Sequence, residues 1–199
     1  VEVWANELRL SDFNDQKGYA AIGRATATLA DFSTLSTAAS ISTPGFGGVD
    51  KKVSERETET KRTFDASASF NLSKFFPKDW GIQLPMYLSY SRNTTEPLFS
   101  PIAPDIRFDD YVDAYDFGER DSVRAIGQTR IIRRSINFAN IRKNKNPNSK
   151  VNTPIDISNF SASYSYNIEN RTSFEVARDM TRTHRANLSY NYQLQPKHV

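Results

Sequence analysis

The sequence predicts an all-β protein, an antiparallel β-meander of membrane-spanning strands. Three observations lead there. Apolar and polar residues alternate with period two in several separate segments, which is the mark of a strand with two unlike faces. Several of these segments run to about ten residues, the length a tilted strand needs to cross a bilayer. The connections between them differ sharply in length, as they do between the two rims of a bacterial barrel.

The clearest segment begins at Phe160. It places Phe160, Ala162, Tyr164, Tyr166 and Ile168 on one face, and Ser161, Ser163, Ser165 and Asn167 on the other. The same rule sets His184, Ala186, Leu188, Tyr190 and Tyr192 against Arg185, Asn187, Ser189 and Asn191. It sets Phe64, Ala66, Ala68, Phe70 and Leu72 against Asp65, Ser67, Ser69 and Asn71, and it recurs at Leu84, Met86, Leu88 and Tyr90. Further strands are expected over 19–29, 35–41, 130–142 and 172–178, with another over 1–10. The polar faces read as small and uncharged, unlike the Lys- and Glu-bearing faces common on solvated sheets. A soluble β-sandwich or adhesin-like binding module with long recognition loops is the alternative, because such sheets alternate too.

Asp31-Phe32-Ser33 reads as a tight turn and residues 75–81 as a compact one with proline and glycine punctuation. Long loops are expected near 43–61 and 93–128, placed outside the cell, with the short turns periplasmic. The connection 143–153 breaks that alternation. Phe75, Phe76 and Trp80 at a hairpin end, and Tyr90, Tyr166, Tyr190 and Tyr192 near strand ends, have the placement of interfacial aromatic girdles.

Composition agrees. The mean hydropathy of −0.61 and apolar runs of only a few residues exclude a spanning helix, which needs about 20 apolar residues. Barrel strands hide their hydrophobicity by alternating, so that exclusion leaves a barrel open. The net charge of +3 is too small for a nucleic-acid partner. The local cluster Arg130, Arg133, Arg134, Arg142, Lys143, Lys145 and Lys150 reads as a basic loop, solvated or against lipid headgroups. There is no cysteine, so disulfides and thiolate metal sites are excluded. The first and last residues, Val1 and Val199, read as cuts through a longer polypeptide.

No chemistry is expected, so no catalytic, cofactor-binding or metal-ligating residue is assigned. The acidic stretch 105–119 lacks the D-x-D-x-D-G spacing of a calcium loop. It reads as an acidic loop or a short amphipathic helix with Ile106, Tyr111 and Val112 docked inward. His184 lies on an apolar strand face, and no second ligand stands at metal spacing. The glycine run 44–48 lacks the Lys and following helix of a phosphate loop. The five N-x-[ST] triplets, at Asn71, Asn93, Asn159, Asn170 and Asn187, are incidental to Ser-rich polar faces.

Several stretches, in order along the chain, resemble the SprA/Sov outer-membrane proteins of the type IX secretion system, which also support gliding motility. They are residues 4–10 with Asp12-Phe13, then Leu29-Ala30-Asp31-Phe32, residues 42–47, Lys74-Phe75-Phe76-Pro77 and Pro85-Met86-Tyr87. Pro104-Asp105-Ile106, residues 133–138, Ile141-Arg142-Lys143 and residues 160–166 continue the series. The resemblance implies that residues 1–199 are one segment, of about eight or nine strands, of a very large single-chain barrel in the bacterial outer membrane. That barrel would be the translocon for folded cargo. Its partners by the same resemblance are the rest of the barrel, the lipid bilayer, secreted cargo, a PorV-like shuttle protein and a plug protein.

Overall fold

A computed structural model describes residues 17–52, 55–145 and 154–192. The chain forms one antiparallel sheet. Its long strands are β1 (Ala20–Leu29), β2 (Ser33–Ser42), β3 (Glu59–Asn71), β5 (Pro85–Pro97), β6 (Thr129–Lys143), β7 (Phe160–Thr172) and β8 (Asp179–Tyr190). These lie side by side in chain order, and the two-residue β4 (Ile82–Gln83) pairs with the end of β6. Each long strand is hydrogen-bonded to the next long strand in the chain, so the sheet is a meander with β1 and β8 at its edges. The sheet is all-β as expected. The expected strand over 1–10 lies outside the described residues.

The register follows from the alternation. A one-residue slip would move every side chain to the opposite face, so the apolar pattern locks the pairing. Ala68 of β3 faces Leu35 of β2 and Leu88 of β5; Leu88 in turn faces Ile136, and Ile136 faces Tyr166. One irregularity protects this order. Between Phe138 and Ile141 the β6–β7 register shifts, with Asn140 at φ 54 and its N–H donating to Ser163 Oγ at 3.1 Å. A bulge inserts one unpaired residue, and asparagine tolerates the left-handed conformation that this one needs. Ile141 is thereby returned to the apolar face, opposite Ala162.

One rim of the sheet holds the connections 30–32, 72–84 and 144–159; the other holds 43–58, 98–128 and 173–178. The length asymmetry is less regular than expected, because 173–178 is a short turn on the rim of the long loops. The expected strand over 172–178 is therefore corrected. Ser173 and Val176 exchange backbone hydrogen bonds at 2.9 and 3.1 Å, and Val176 N–H also reaches Ser173 Oγ. That reversal ends β7, and β8 starts only at Asp179. The long loop expected from 93 likewise starts later, since β5 runs on to Pro97.

Residues 98–128 are partly helical, with α1 (Phe108–Asp113) and α2 (Arg120–Gly127). Phe108 and Val112 of α1 are the only fully buried apolar side chains among the described residues. Gly127 permits that packing, because a Cβ there would stand 2.2 Å from Phe108 Cε2. Of the residues expected to dock inward, Val112 does, Tyr111 is half-buried and Ile106 is exposed.

Candidate functional surface

Residues that face each other across an antiparallel ladder share one side of the sheet. Followed from strand to strand, the register therefore sorts the sheet into two surfaces. One carries Leu35, Ala39 and Ile41 of β2, Phe64 to Phe70 at every second residue of β3, and Met86, Leu88 and Tyr90 of β5. It continues through Ile132, Ile136 and Phe138 of β6, Tyr164, Tyr166 and Ile168 of β7, and Ala186, Leu188 and Tyr190 of β8. Along β7 the apolar stretch from Phe160 to Ile168 is roughly 27 Å long at about 3.3 Å per residue. Tilted as barrel strands are, it stands about 20 Å tall, close to the apolar band of a barrel wall.

Among the described residues this band is uncovered. Leu188 is 71% exposed, Phe64 43% and Ile136 40%. A soluble sandwich buries such a face on a second layer, which supplies most of its folding free energy. Here α1 and α2 stand only at one rim, against the ends of β3, β5 and β6, through Arg124 on Glu96 and through Phe108 N–H on Leu98 O. An apolar surface this extensive marks a contact with something else.

The opposite surface carries Ser36, Ser40, Ser67, Ser69, Ser89, Ser91, Ser135, Ser163 and Ser165, with Thr, Asn and several charges among them. The Ser89 and Ser135 hydroxyls bond directly across β5 and β6. The expectation of an uncharged face is corrected: Arg24, Asp65, Arg171 and Arg185 stand on it, and Arg133 Nε donates to Glu169 Oε2 at 2.7 Å. Small hydroxyl residues dominate, but opposite charges are interspersed.

The two rims differ. At the rim of 30–32 and 72–84, aromatic rings cluster: Phe32 lies 5.8 Å from Phe70 and 5.4 Å from Phe75, and Phe76 stacks on Trp80 at 6.3 Å. Phe160 and Tyr190 meet at 5.0 Å near the same level. Tyr90 and Tyr166, expected near strand ends, instead lie mid-strand, Tyr90 against Phe64 and Tyr166 stacked on His184 at 4.4 Å. The aromatic rim also holds a cleft of about 720 Å³ beside the turn Ala30–Phe32. Its one opposed charge pair, Asp31 with Lys74, is closed as an ion pair. The Lys74 ammonium, hydrogen-bonded to Asp31, holds that carboxyl below its ordinary range.

At the opposite rim, charges close the apolar band. Arg62, Arg92 and Arg130 lie two positions from Phe64, Tyr90 and Ile132 and therefore share their face. Sequence reasoning missed this row; continuing the period-two count past each apolar run would have found it. The expected basic loop is corrected at the same time. Arg130, Arg133, Arg134, Arg142 and Lys143 all lie on β6, divided between its faces and ends, and Lys150 lies outside the described residues.

The acidic stretch is accounted for by structure. Asp109 accepts from Arg124 at 3.0 Å and Asp113 from Arg120 at 3.0 Å, so two of its carboxylates pin α1 to α2. His184 keeps its place on the apolar face, with Nδ1 2.9 Å from the Tyr164 hydroxyl. The glycine run forms a turn in which Gly45 and Phe46 pair with Glu57 at 2.7 and 2.9 Å. No helix among the described residues is long and apolar enough to cross a membrane, which says nothing of crossing by strands.

A comparison with known families decides the kinship. Residues 1–112 match the SprA N-terminal family, described as a motility related/secretion protein. The chain belongs to this family. The match spans more than half of the chain, reaching from its first residue into α1. No curated protein matches the chain. As a member of the SprA family it is a motility- and secretion-related protein.

Proposed function

We propose that this SprA-family chain is a wall segment of the outer-membrane pore through which the type IX secretion system exports folded cargo. The observation that supports it most is the uncovered apolar band, backed by a hydroxyl-rich face on one continuous meander. In water that band would drive aggregation; in a bilayer it meets acyl chains, while the ladder pairs the backbone groups of the inner strands. The serine-rich face then lines the lumen. Short hydroxyls offer hydrogen bonds without deep pockets, so passing cargo is held weakly. The edge strands β1 and β8 present unpaired backbone groups that the remainder of the same barrel would cover. By resemblance, a PorV-like shuttle protein and a plug protein act on the assembled pore; by its loop lengths, the rim with 98–128 faces outward. The mechanism is steric and electrostatic, and no reaction is assigned to the chain.

The absence of cysteine makes the test clean. Single cysteines at Ser135 and Ser189, and at Ile136 and Leu188, are placed in the chain in outer-membrane fractions. A water-soluble maleimide should label the first pair and spare the second, which a lipid-soluble reagent should reach. Equal aqueous labelling of all four, or recovery as a monodisperse protein without detergent, would overturn the proposal in favour of a soluble binding module.

A further inference from the structure

Four arginines gather where the apolar band ends beneath α2. Arg62 of β3, Arg92 of β5, Arg130 of β6 and Arg124 of α2 line a cleft of about 490 Å³. Its acidic neighbours are accounted for one by one. Glu96, 7% exposed, accepts from Arg62 at 2.8 Å and from Arg124 at 3.2 Å. Asp109 takes the other side of Arg124, and Asp121 also lines the cleft. Among the described residues Arg92 and Arg130 have no carboxylate partner, and Arg130 Nε is buried with no acceptor. A buried donor without a partner costs on the order of 1–3 kcal/mol, so an acceptor arriving at Arg130 from outside would be bound favourably.

We propose that this cleft binds the phosphate of an anionic lipid headgroup. Guanidinium forks match phosphate oxygens in pairs and remain charged at every physiological pH. The surroundings select a lipid as the source. Phe64 lies in the cleft wall, Tyr90 and Ile132 continue the same face, and a phosphate seated on Arg92 and Arg130 has its acyl chains along them. Arg134, over the Tyr90 ring at 5.9 Å, and Arg182 on β8 extend the same positive rim toward the sheet edge. Arginine can lay its aliphatic stem on an apolar band while its charged head reaches headgroup level. The proposal rests on the reading that this face meets a bilayer.

The full chain is reconstituted with phosphatidylcholine vesicles with and without phosphatidic acid, and its partition between them is measured by flotation. Each arginine near an anionic surface favours binding about 5-fold, so R92Q/R130Q should lower the preference for phosphatidic acid about 25-fold. R92K/R130K should keep most of it, and R133Q, on the opposite face, should leave it intact. A preference unchanged in R92Q/R130Q overturns the site. Displacement by millimolar inorganic phosphate to the same extent would make it a free-anion site and overturn the lipid assignment. Equal insertion into both vesicle types sinks this inference alone. Insertion into neither sinks the membrane reading and this inference with it.

Discussion

Ile136 is the position at which the two-faced wall can be tested most sharply. It lies on β6 between Leu88 of β5 and Tyr166 of β7, preceded on the same face by Arg134 and followed by Phe138 and Ile141. It is 40% exposed with nothing covering it. If that exposure is to lipid, Ile136→Arg places a guanidinium near the bilayer midplane and costs about 2–4 kcal/mol. At about 1.4 kcal/mol per tenfold, that is roughly a 30- to 700-fold loss in the folding equilibrium. Ser135→Arg, one residue away on the other face, removes only the hydroxyl bond to Ser89 and should cost about 1 kcal/mol. Leu188→Arg should cost about as much as Ile136→Arg, because Leu188 pairs with Ala162 and Ile136 with Tyr166, one pair to either side of Tyr164 in the middle of the apolar stretch. The assay is reversible urea unfolding of the chain folded into vesicles, followed by tryptophan fluorescence and by protease protection. Equal costs at Ile136 and Ser135 would refute the assignment of faces, and a larger cost at Ser135 would invert it.

Other consequences concern the rims. Gly127→Ala drives a methyl against Phe108 and should destabilise the 98–128 loop by about 1–3 kcal/mol, read as faster proteolysis there with the strands still protected. Glu96→Gln leaves Arg62 and Arg124 without their shared carboxylate and should cost roughly 1–3 kcal/mol by the same unfolding assay. Asp31, held below its ordinary value of 3.8 by Lys74, adds stability to the aromatic rim that is fully present above that value. It is lost as pH falls through the lowered value. Lys74→Gln should raise the Asp31 titration seen by carboxyl NMR, and an unchanged midpoint would show that the ion pair does not form.

Much of this fold was legible because a strand writes its own geometry into the chain. Period two at Phe64–Phe70 and Phe160–Ile168 forecast both the strands and the face on which each side chain stands, since successive Cβ atoms alternate whatever the tertiary context. The same rule carried β6 and β8, and the tight turn at 30–32 made β1 and β2 an antiparallel hairpin, since three residues cannot form a crossover. The order of motifs along residues 1–112 also pointed to the SprA family, as the family match shows.

Tertiary structure decided the rest. Residues 172–178 look like a strand in isolation, but a reversal between Ser173 and Val176 wins, because local hydrogen bonds there satisfy backbone groups that the sheet would otherwise pair. The bulge at Asn140 was invisible to pattern counting, since it exists to reconcile the phase of β6 with that of β7. The arginine cleft was dispersed over positions 62, 92, 124 and 130, and pairing across three strands and one helix brought it together. Alternation is a property of one strand, so the sequence carried the two faces. A charge cluster is a property of register between strands, so only the folded sheet could assemble it.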